Sequence, residues 1–384
     1  MRTLLAVLVS SLLCACATPP LPRSEALLKD HLFAAPSQPI DPKAVFAVTP
    51  AMQDFLKQNT AAHIRTKDPQ LGLYNLVHQS GRLMLDYDSA VTRNASQAFD
   101  SRAGNCLSLV IMTAAFAREL RIPIQFQSVQ VDEAWSRAGN MHFLNGHVNL
   151  TLGDDSGMSR FGGDYNADRA ITIDFLPPAA DQRQRVRAIR EHTVLAMYMN
   201  NRAAESLLAR KVDDAYWWIR EAIRQDPSFL TAYNTLGVVY QMHGDLPEAE
   251  AVLRQALERQ PESAQLLTNL VRVLNLRGNG LEAAGMAQRL AQIQPFAPFH
   301  FFDQGQAAMQ RGDYGHAKAM FARELQRAGD YHEVHFGLAL ANLHLGETAT
   351  AQKHLRLAQE NSATRSDRDL YGAKLDRLKA TRLN

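Results

Sequence analysis

The stretch YNTLGVVY at residues 233–240, followed by Ala249, Leu253, Ala256 and Pro261, decides the fold of the second half of the chain. Its small and apolar positions recur with a fixed period of 34 residues. A period of this length is typical of an array in which each unit is a pair of helices stacked on its neighbours. The recurring positions are Ala215, Ala249, Ala283, Ala317 and Ala351, with prolines at the same step at Pro227, Pro261 and Pro295.

The repeated unit resembles the tetratricopeptide consensus, which has an aromatic residue, Leu-Gly, Tyr, Ala, an apolar residue, Ala and Pro at these spacings. Small residues are needed where two helices cross closely, and a proline ends the second helix. The resemblance implies an all-α solenoid over residues 181–384, with about five repeats between 196 and 365 and a capping helix after them. Such arrays present a groove, so we expect a protein or peptide partner there.

The first sixteen residues are typical of a bacterial export signal. Arg2 precedes an apolar run at residues 4–13 that is too short to cross a bilayer as a mature helix. The run leads into Cys14-Ala15-Cys16, which resembles a lipobox, and the resemblance implies that Cys16 is lipidated. Cys16 fits better than Cys14 because the small Ala15 precedes it. A plain cleaved secretory signal is the alternative.

The residue after Cys16 is not an aspartate, and this resembles the sorting pattern for the outer membrane. We therefore expect a lipid-anchored protein of the bacterial cell envelope, on the periplasmic face. Residues 17–48 are rich in proline, which predicts an extended tether between the membrane and the folded part. The net charge of +2 and the lack of a basic run give no reason to expect nucleic acid as a partner.

Residues 49–180 mix helical periodicity with strand-like runs and predict an α+β domain. Cys106 is its only cysteine, so it cannot be half of a disulfide within this domain. It lies where a loop enters a helix, in the segment 99–120, with Gly104 and Asn105 before it. A helix N-terminus favours thiolate over thiol, and its free amides can receive an oxyanion. A packed core residue is the alternative interpretation of Cys106.

Two later strands carry candidate partners for this thiol. In residues 147–152 the alternation puts His147 on the polar face, and in residues 170–175 it does the same for Asp174. If the two strands are neighbours, the histidine and the acid lie side by side. A cysteine activated by a histidine that an acid orients is the arrangement of thiol hydrolases. The alternatives are His142 for the base, and Asp154, Asp155 and Asp164 for the acid.

The segments Gly-Asn-Cys106, Gly-His147-Val-Asn and Ile-Asp174-Phe resemble the transglutaminase-like (papain-like) superfamily, over roughly residues 70–180. The resemblance implies an α+β fold of that type, with Cys106 as nucleophile, His147 as general base and then acid, and Asp174 as its orienter. It implies cleavage of an amide or peptide bond without cofactor or metal, and transamidation is the alternative chemistry. The second hypothesis is a non-catalytic scaffold lipoprotein of an envelope assembly.

Two details of this domain stay open in the sequence. The oxyanion hole has the backbone amide of Cys106 as its first candidate and the Gln97 side chain as a weaker one. The acid-rich loop at residues 154–168 has the oxygen ligands that calcium prefers, but it lacks the spacing of an EF-hand. A flexible turn is therefore the favoured interpretation of that loop.

Overall fold

The computed structural model describes residues 24–63, 68–78, 83–131, 135–138, 141–144, 147–153, 170–175, 184–328, 331–362 and 364–380. In these ranges an α+β part is followed by an array of helices. None of the helices described there is both long and apolar enough to cross a membrane. The export signal and Cys16 lie outside the described residues.

Four of the strands form the main sheet, in the order β7-β6-β3-β8, with each neighbouring pair antiparallel. Strands β1 and β2 form a short parallel pair, and β4 and β5 form an antiparallel pair. The strands are β1 (Asp86–Tyr87), β2 (Ala103–Gly104), β3 (Ile124–Val131), β4 (Trp135–Ala138), β5 (Met141–Leu144), β6 (His147–Leu152), β7 (Ile171–Ile173) and β8 (Gln184–Ile189). The helices of this part are α1 (Ser24–Leu27), α2 (Pro50–His63), α3 (Pro69–His78), α4 (Ala95–Ser101) and α5 (Cys106–Glu119), with 3₁₀ helices at Asp30–Leu32 and Pro42–Phe46.

Helix α5 lies at the centre of the α+β core. Every residue from Leu107 to Ala117 is buried, because the helix packs on β6 as well as on α2, α3 and α4. Val148 and Leu150 of β6 belong to the same core. Burial on all sides fixes the helix, so Cys106 at its first position is held by a rigid element.

The sheet extends further along the sequence than the predicted domain boundary at residue 180. Only helices are expected beyond it, yet β8 pairs with β3 in the register Phe126↔Ile189. The exposed side chains of this strand include Val186 and Arg187. An edge strand with exposed, charged positions lacks the apolar run that identifies a buried strand. The α+β part therefore includes residues 184–189.

The second half of the chain is the predicted all-α solenoid, with five helix pairs and a final helix in the described residues. Its hairpin turns need a left-handed residue, and glycine supplies it with positive φ at Gly244, Gly278, Gly312 and Gly346. In the first repeat Arg210 takes this conformation, with φ of 60°. The pairs are α6 (Glu191–Leu208) and α7 (Val212–Gln225), α8 (Leu230–His243) and α9 (Leu246–Arg259), α10 (Ala264–Leu276) and α11 (Gly280–Ile293), α12 (His300–Gln310) and α13 (Tyr314–Ala328), α14 (His332–His344) and α15 (Thr348–Glu360), followed by α16 (Arg365–Ala380).

Gly237 shows why the repeat needs small residues. A Cβ atom at this position would lie 2.7 Å from Leu253 Cγ on the paired helix. We expect Gly237→Val to lower the free energy of unfolding by about 1–3 kcal/mol through overpacking. Gly285→Ala is the control, because a Cβ there meets nothing within 4 Å, and it should be neutral or slightly stabilising. Urea unfolding followed by circular dichroism measures both, and equal midpoints for the two variants would contradict the close-packing explanation.

One hydrophobic core joins the α+β part to the first repeats. It runs from Phe33 through helix α5 to Ala283, and a separate core begins at Phe299. The α+β part and the first three repeats therefore share their apolar interior. The α+β part, which contains Cys106, is thus packed against the array in one folded unit.

Residues 24–37, called the strap below, pack on the array. The sequence predicts an extended tether over residues 17–48, but this is wrong for the described residues 24–48. The Phe33 ring stacks on Tyr216 with ring centroids 3.9 Å apart and planes within 6°. A high proline content predicts an extended chain, but it takes no account of apolar side chains that pack on another part of the protein. Phe33 is such a side chain.

Polar contacts hold the strap on both sides of that ring. Asp30 Oδ1 accepts hydrogen bonds from the Tyr216 hydroxyl at 2.6 Å and from Arg220 Nε at 2.8 Å. The Ser37 backbone amide and hydroxyl each donate to the Asp214 carboxylate at 2.7 Å. The strap therefore meets helix α7 through a specific set of partners.

Candidate active site

Cys106 is the first residue of α5, and the residues before it shape the helix start. The Asn105 side chain caps the helix by accepting from the Ser108 backbone amide at 2.9 Å. A Cβ atom at Gly104 would lie 2.7 Å from Ser108 Cβ, so glycine is needed for this close approach. Cys106 itself is partly buried and is the free cysteine of the described residues. Its thiol thus stands at a helix N-terminus, where a negative charge is stabilised.

His147 and Asp174 lie next to each other, in the arrangement that the strand pattern predicts. β6 and β7 pair with Leu150 opposite Ile173, which brings the residue after β7 beside the start of β6. His147 Nε2 is 2.6 Å from Asp174 Oδ1. The side chain of His147 is 9% exposed and that of Asp174 is 19% exposed, so water screens the pair little.

The His147 imidazole also faces the Cys106 thiol. Burial by itself lowers the pKa of His147, but hydrogen bonds and charges from Asp174 and Cys106 outweigh it and raise that pKa to about 9. Since Nε2 bonds to Asp174, Nδ1 is the ring nitrogen left for the sulfur. The protonated His147 ring thus lies between the Asp174 carboxylate and the Cys106 side chain.

The alternatives to these residues fall in two groups. Asp154, Asp155, Asp164, the 154–168 loop and the side chain of His142 lie outside the described residues. Gln97 is described, and its side chain accepts from the Asn94 backbone amide at 3.1 Å in the capping box of α4. The Gln97 side-chain oxygen is therefore part of the cap of α4, and not of α5, the helix that Cys106 begins.

Among the described residues, no group of three or more His, Cys, Asp and Glu side chains is arranged to hold a metal ion. The histidine and carboxylate pair at His147 instead bonds to each other and faces a thiol.

Tyr87 is a residue of the site that the sequence analysis missed. It lies on β1 opposite Gly104, and its phenol oxygen bonds to the backbone amide of Cys106. Burial first, and then the charges of Cys106 and Asp88, raise the pKa of Tyr87, so the phenol keeps its proton. Its O–H can donate to a thiolate or an oxyanion at Cys106. A two-residue strand leaves no periodic signal from which this contact could be predicted.

His78, at the end of α3, was also missed, because it contacts Asp174, which is far from it in the sequence. Its ring lies between Tyr74 and Phe175, with centroids 4.7 Å and 5.1 Å away. Burial lowers the pKa of His78, and two smaller effects oppose it: the hydrogen bond that the ring donates to the Asp174 backbone carbonyl, and the charge of Asp174. The neutral ring supports the backbone of the acid.

A pocket of about 490 Å³ opens beside the acid. Asp174 and Tyr87 line its polar side, and Leu76, Leu83 and Leu109 are among its apolar walls. Asp174 and Tyr87 therefore border this pocket, whose described lining does not include Cys106 or His147.

The model of the tetratricopeptide repeat matches residues 234–298 and 302–366. The second half of the chain carries tetratricopeptide repeats. This confirms the repeat prediction, and arrays of this kind serve as protein interaction scaffolds. The match lies outside residues 106–174, so the transglutaminase-like resemblance remains a prediction.

Several solved structures are similar to about half of the chain, at low sequence identity. Pseudomonas aeruginosa pilF is 20% identical, covering 49% of this chain and 94% of its own, with a TM-score of 0.28. YrrB, described as a TPR protein with an unusual peptide-binding site, is 20% identical over 47% of this chain and 92% of its own, with a TM-score of 0.25. PilW, a type IV pilus biogenesis factor, is 22% identical over 48% and 86%, with a TM-score of 0.26. No curated protein matches the chain.

Proposed function

We propose that the chain is a thiol hydrolase of the transglutaminase-like type, whose repeats dock a protein or peptide partner. The observation that carries the proposal is the 2.6 Å contact between His147 and Asp174, beside a cysteine that starts a buried helix. In this proposal Cys106 is the nucleophile, His147 is the base and Asp174 is the orienting acid.

In the proposed reaction the Cys106 thiolate attacks the carbonyl carbon of an amide. The carbon–nitrogen bond breaks, the leaving nitrogen takes a proton from His147, and the acyl group stays on sulfur as a thioester. Water then attacks the thioester while His147 removes its proton, and the acid and the thiol are released. An amine in place of water gives transamidation by the same steps.

A non-catalytic scaffold is the second candidate function. The repeats favour this function. They match the tetratricopeptide repeat model, and arrays of such repeats bind proteins or peptides. In this case Cys106 would be a structural residue. For both candidates we propose lipid anchoring at Cys16 to the periplasmic face of the outer membrane, on the strength of the export signal.

The reactivity of Cys106 tests the enzyme proposal. An ordinary cysteine is about 3% ionised at pH 7, so an activated thiolate should react with iodoacetamide about 10-fold faster, after allowance for its weaker nucleophilicity. His147→Ala should return the rate to the ordinary value. Mass spectrometry of the peptide that contains Cys106 excludes the signal cysteines from the measurement.

Hydrolysis of p-nitrophenyl acetate provides a second readout, which Cys106→Ala should abolish while the circular dichroism spectrum stays unchanged. If Cys106 reacts at the ordinary rate and His147→Ala changes nothing, the enzyme proposal fails. The scaffold function then takes its place.

A further inference from the structure

A chain of hydrogen bonds connects the first helix of the array to the start of the thiol helix. Asn105 Nδ2 donates to Thr92 Oγ1 at 2.9 Å, and the Thr92 backbone amide donates to Glu205 Oε1 at 2.6 Å. Thr92 is 2% exposed and Asn105 is 9% exposed, so both bonds lie where water does not compete. Glu205 belongs to α6 and lies 113 residues beyond Thr92 in the sequence.

The Glu205 carboxylate also bonds, through its other oxygen, to a residue of the array. Arg202 Nη1 donates to Glu205 Oε2 at 2.7 Å, and the Arg202 guanidinium lies 5.4 Å from the Trp218 ring centroid on α7. Burial raises the pKa of Glu205, and the bonds from Thr92 and Arg202 counteract it. A charged group in this position is costly to bury, so it is retained only where its partners compensate.

The other end of the chain of bonds reaches the nucleophile. Asn105 Oδ1 accepts from both the amide and the hydroxyl of Ser108, at 2.9 Å and 2.8 Å. The Ser108 hydroxyl in turn accepts from the Arg93 backbone amide at 2.8 Å. Cys106 lies between Asn105 and Ser108 in the sequence. This cap therefore fixes the position of Cys106 at the start of α5.

We propose that Glu205 is a positioning residue for Cys106, acting through Thr92 and Asn105. The inference rests on the proposed function, because it concerns the geometry of the same thiol. It makes the first repeat a part of the site. The hydrogen bonds run from α6 to the start of α5 without involving His147 or Asp174.

The test is the pH dependence of Cys106 alkylation by iodoacetamide in the full-length protein. Glu205→Gln keeps an oxygen for the Thr92 amide but loses the charge that pairs with Arg202. We expect it to slow alkylation at pH 7 by about 3- to 10-fold and to move the midpoint of the rate–pH curve toward that of ordinary cysteine, about 8.5. Glu258→Gln, at an exposed position of α9, is the matched control and should behave as wild type.

A second variant guards against simple loss of folding. Thr92→Val removes the hydroxyl that receives the Asn105 amide but preserves the backbone bond to Glu205, and it should shift the midpoint in the same direction. Urea unfolding of each variant separates stability from reactivity. Unchanged midpoints in both variants, with an activated wild-type thiol, would overturn the positioning role alone. A wild-type thiol that titrates as ordinary cysteine would overturn it together with the proposed function.

Discussion

Replacing Asp174 with asparagine is expected to slow alkylation of Cys106 at pH 7 by about 5- to 10-fold, which is most of the activation over an ordinary cysteine. The amide has the shape of the carboxylate but no charge, so it no longer stabilises the imidazolium that faces the thiolate. Iodoacetamide labelling of the Cys106 peptide, from pH 5 to 10, measures the change.

The control for this substitution is Asp226→Asn in the array. Asp226 is also buried and lies 3.9 Å from a histidine, His192, so its loss tests for a general effect of removing a buried carboxylate. It should leave the labelling rate of Cys106 unchanged. Equal rates for wild type and Asp174→Asn would show that the acid does not act on the thiol.

The same pair has a pH signature in stability. The folded pKa of His147 is about 9, above the ordinary 6.5, so the folded protein binds this proton more tightly than the unfolded chain does. The resulting stabilisation, on the order of 3 kcal/mol, is fully present below pH 6.5 and is lost as the pH rises through 9. The free energy of unfolding should therefore fall more steeply between pH 6.5 and 9 in wild type than in Asp174→Asn.

The array could be predicted from the sequence because the same residue pattern recurs several times at a fixed step. Each unit presents the same small and apolar residues at the same step, and Gly237 lying against Leu253 gives the physical reason for that step. The start of α5 could also be predicted, since Asn105 caps the helix through a local bond to Ser108. Local contacts leave a pattern within a few residues, and such patterns can be read without the fold.

The missed features depend on contacts between distant parts of the chain. Tyr87 approaches Cys106 across a strand pair of two residues, and Glu205 reaches Thr92 from another helix. The proximity of His147 and Asp174 could be predicted because His147 begins β6, Asp174 directly follows β7, and the alternation of both segments is visible in the sequence. The edge strand β8 and the strap were misassigned, since their compositions resemble a helix start and a linker.

The strap gives the second large effect, and we expect Phe33→Ala to lower the free energy of unfolding by about 3–5 kcal/mol. Phe33 is 7% exposed, and its ring fits between Tyr216 and His243, whose ring centroids lie 3.9 Å and 4.5 Å away. Leu281→Ala is the control, because Leu281 is 93% exposed and its truncation should cost little. Urea unfolding of the two variants measures the difference.

The location of the damage is as informative as its size. Without the ring, the polar bonds of the strap are open to water, where each contributes only about 0.5–1.5 kcal/mol. Residues 24–37 should then detach first, so limited proteolysis is expected to cut Phe33→Ala within the strap while helices α8–α16 stay intact. Protection of the strap equal to that of wild type would show that its polar contacts with Asp213, Asp214 and Tyr240 hold it without the aromatic anchor. Detachment would instead show that one stacked ring holds the N-terminal segment on the array.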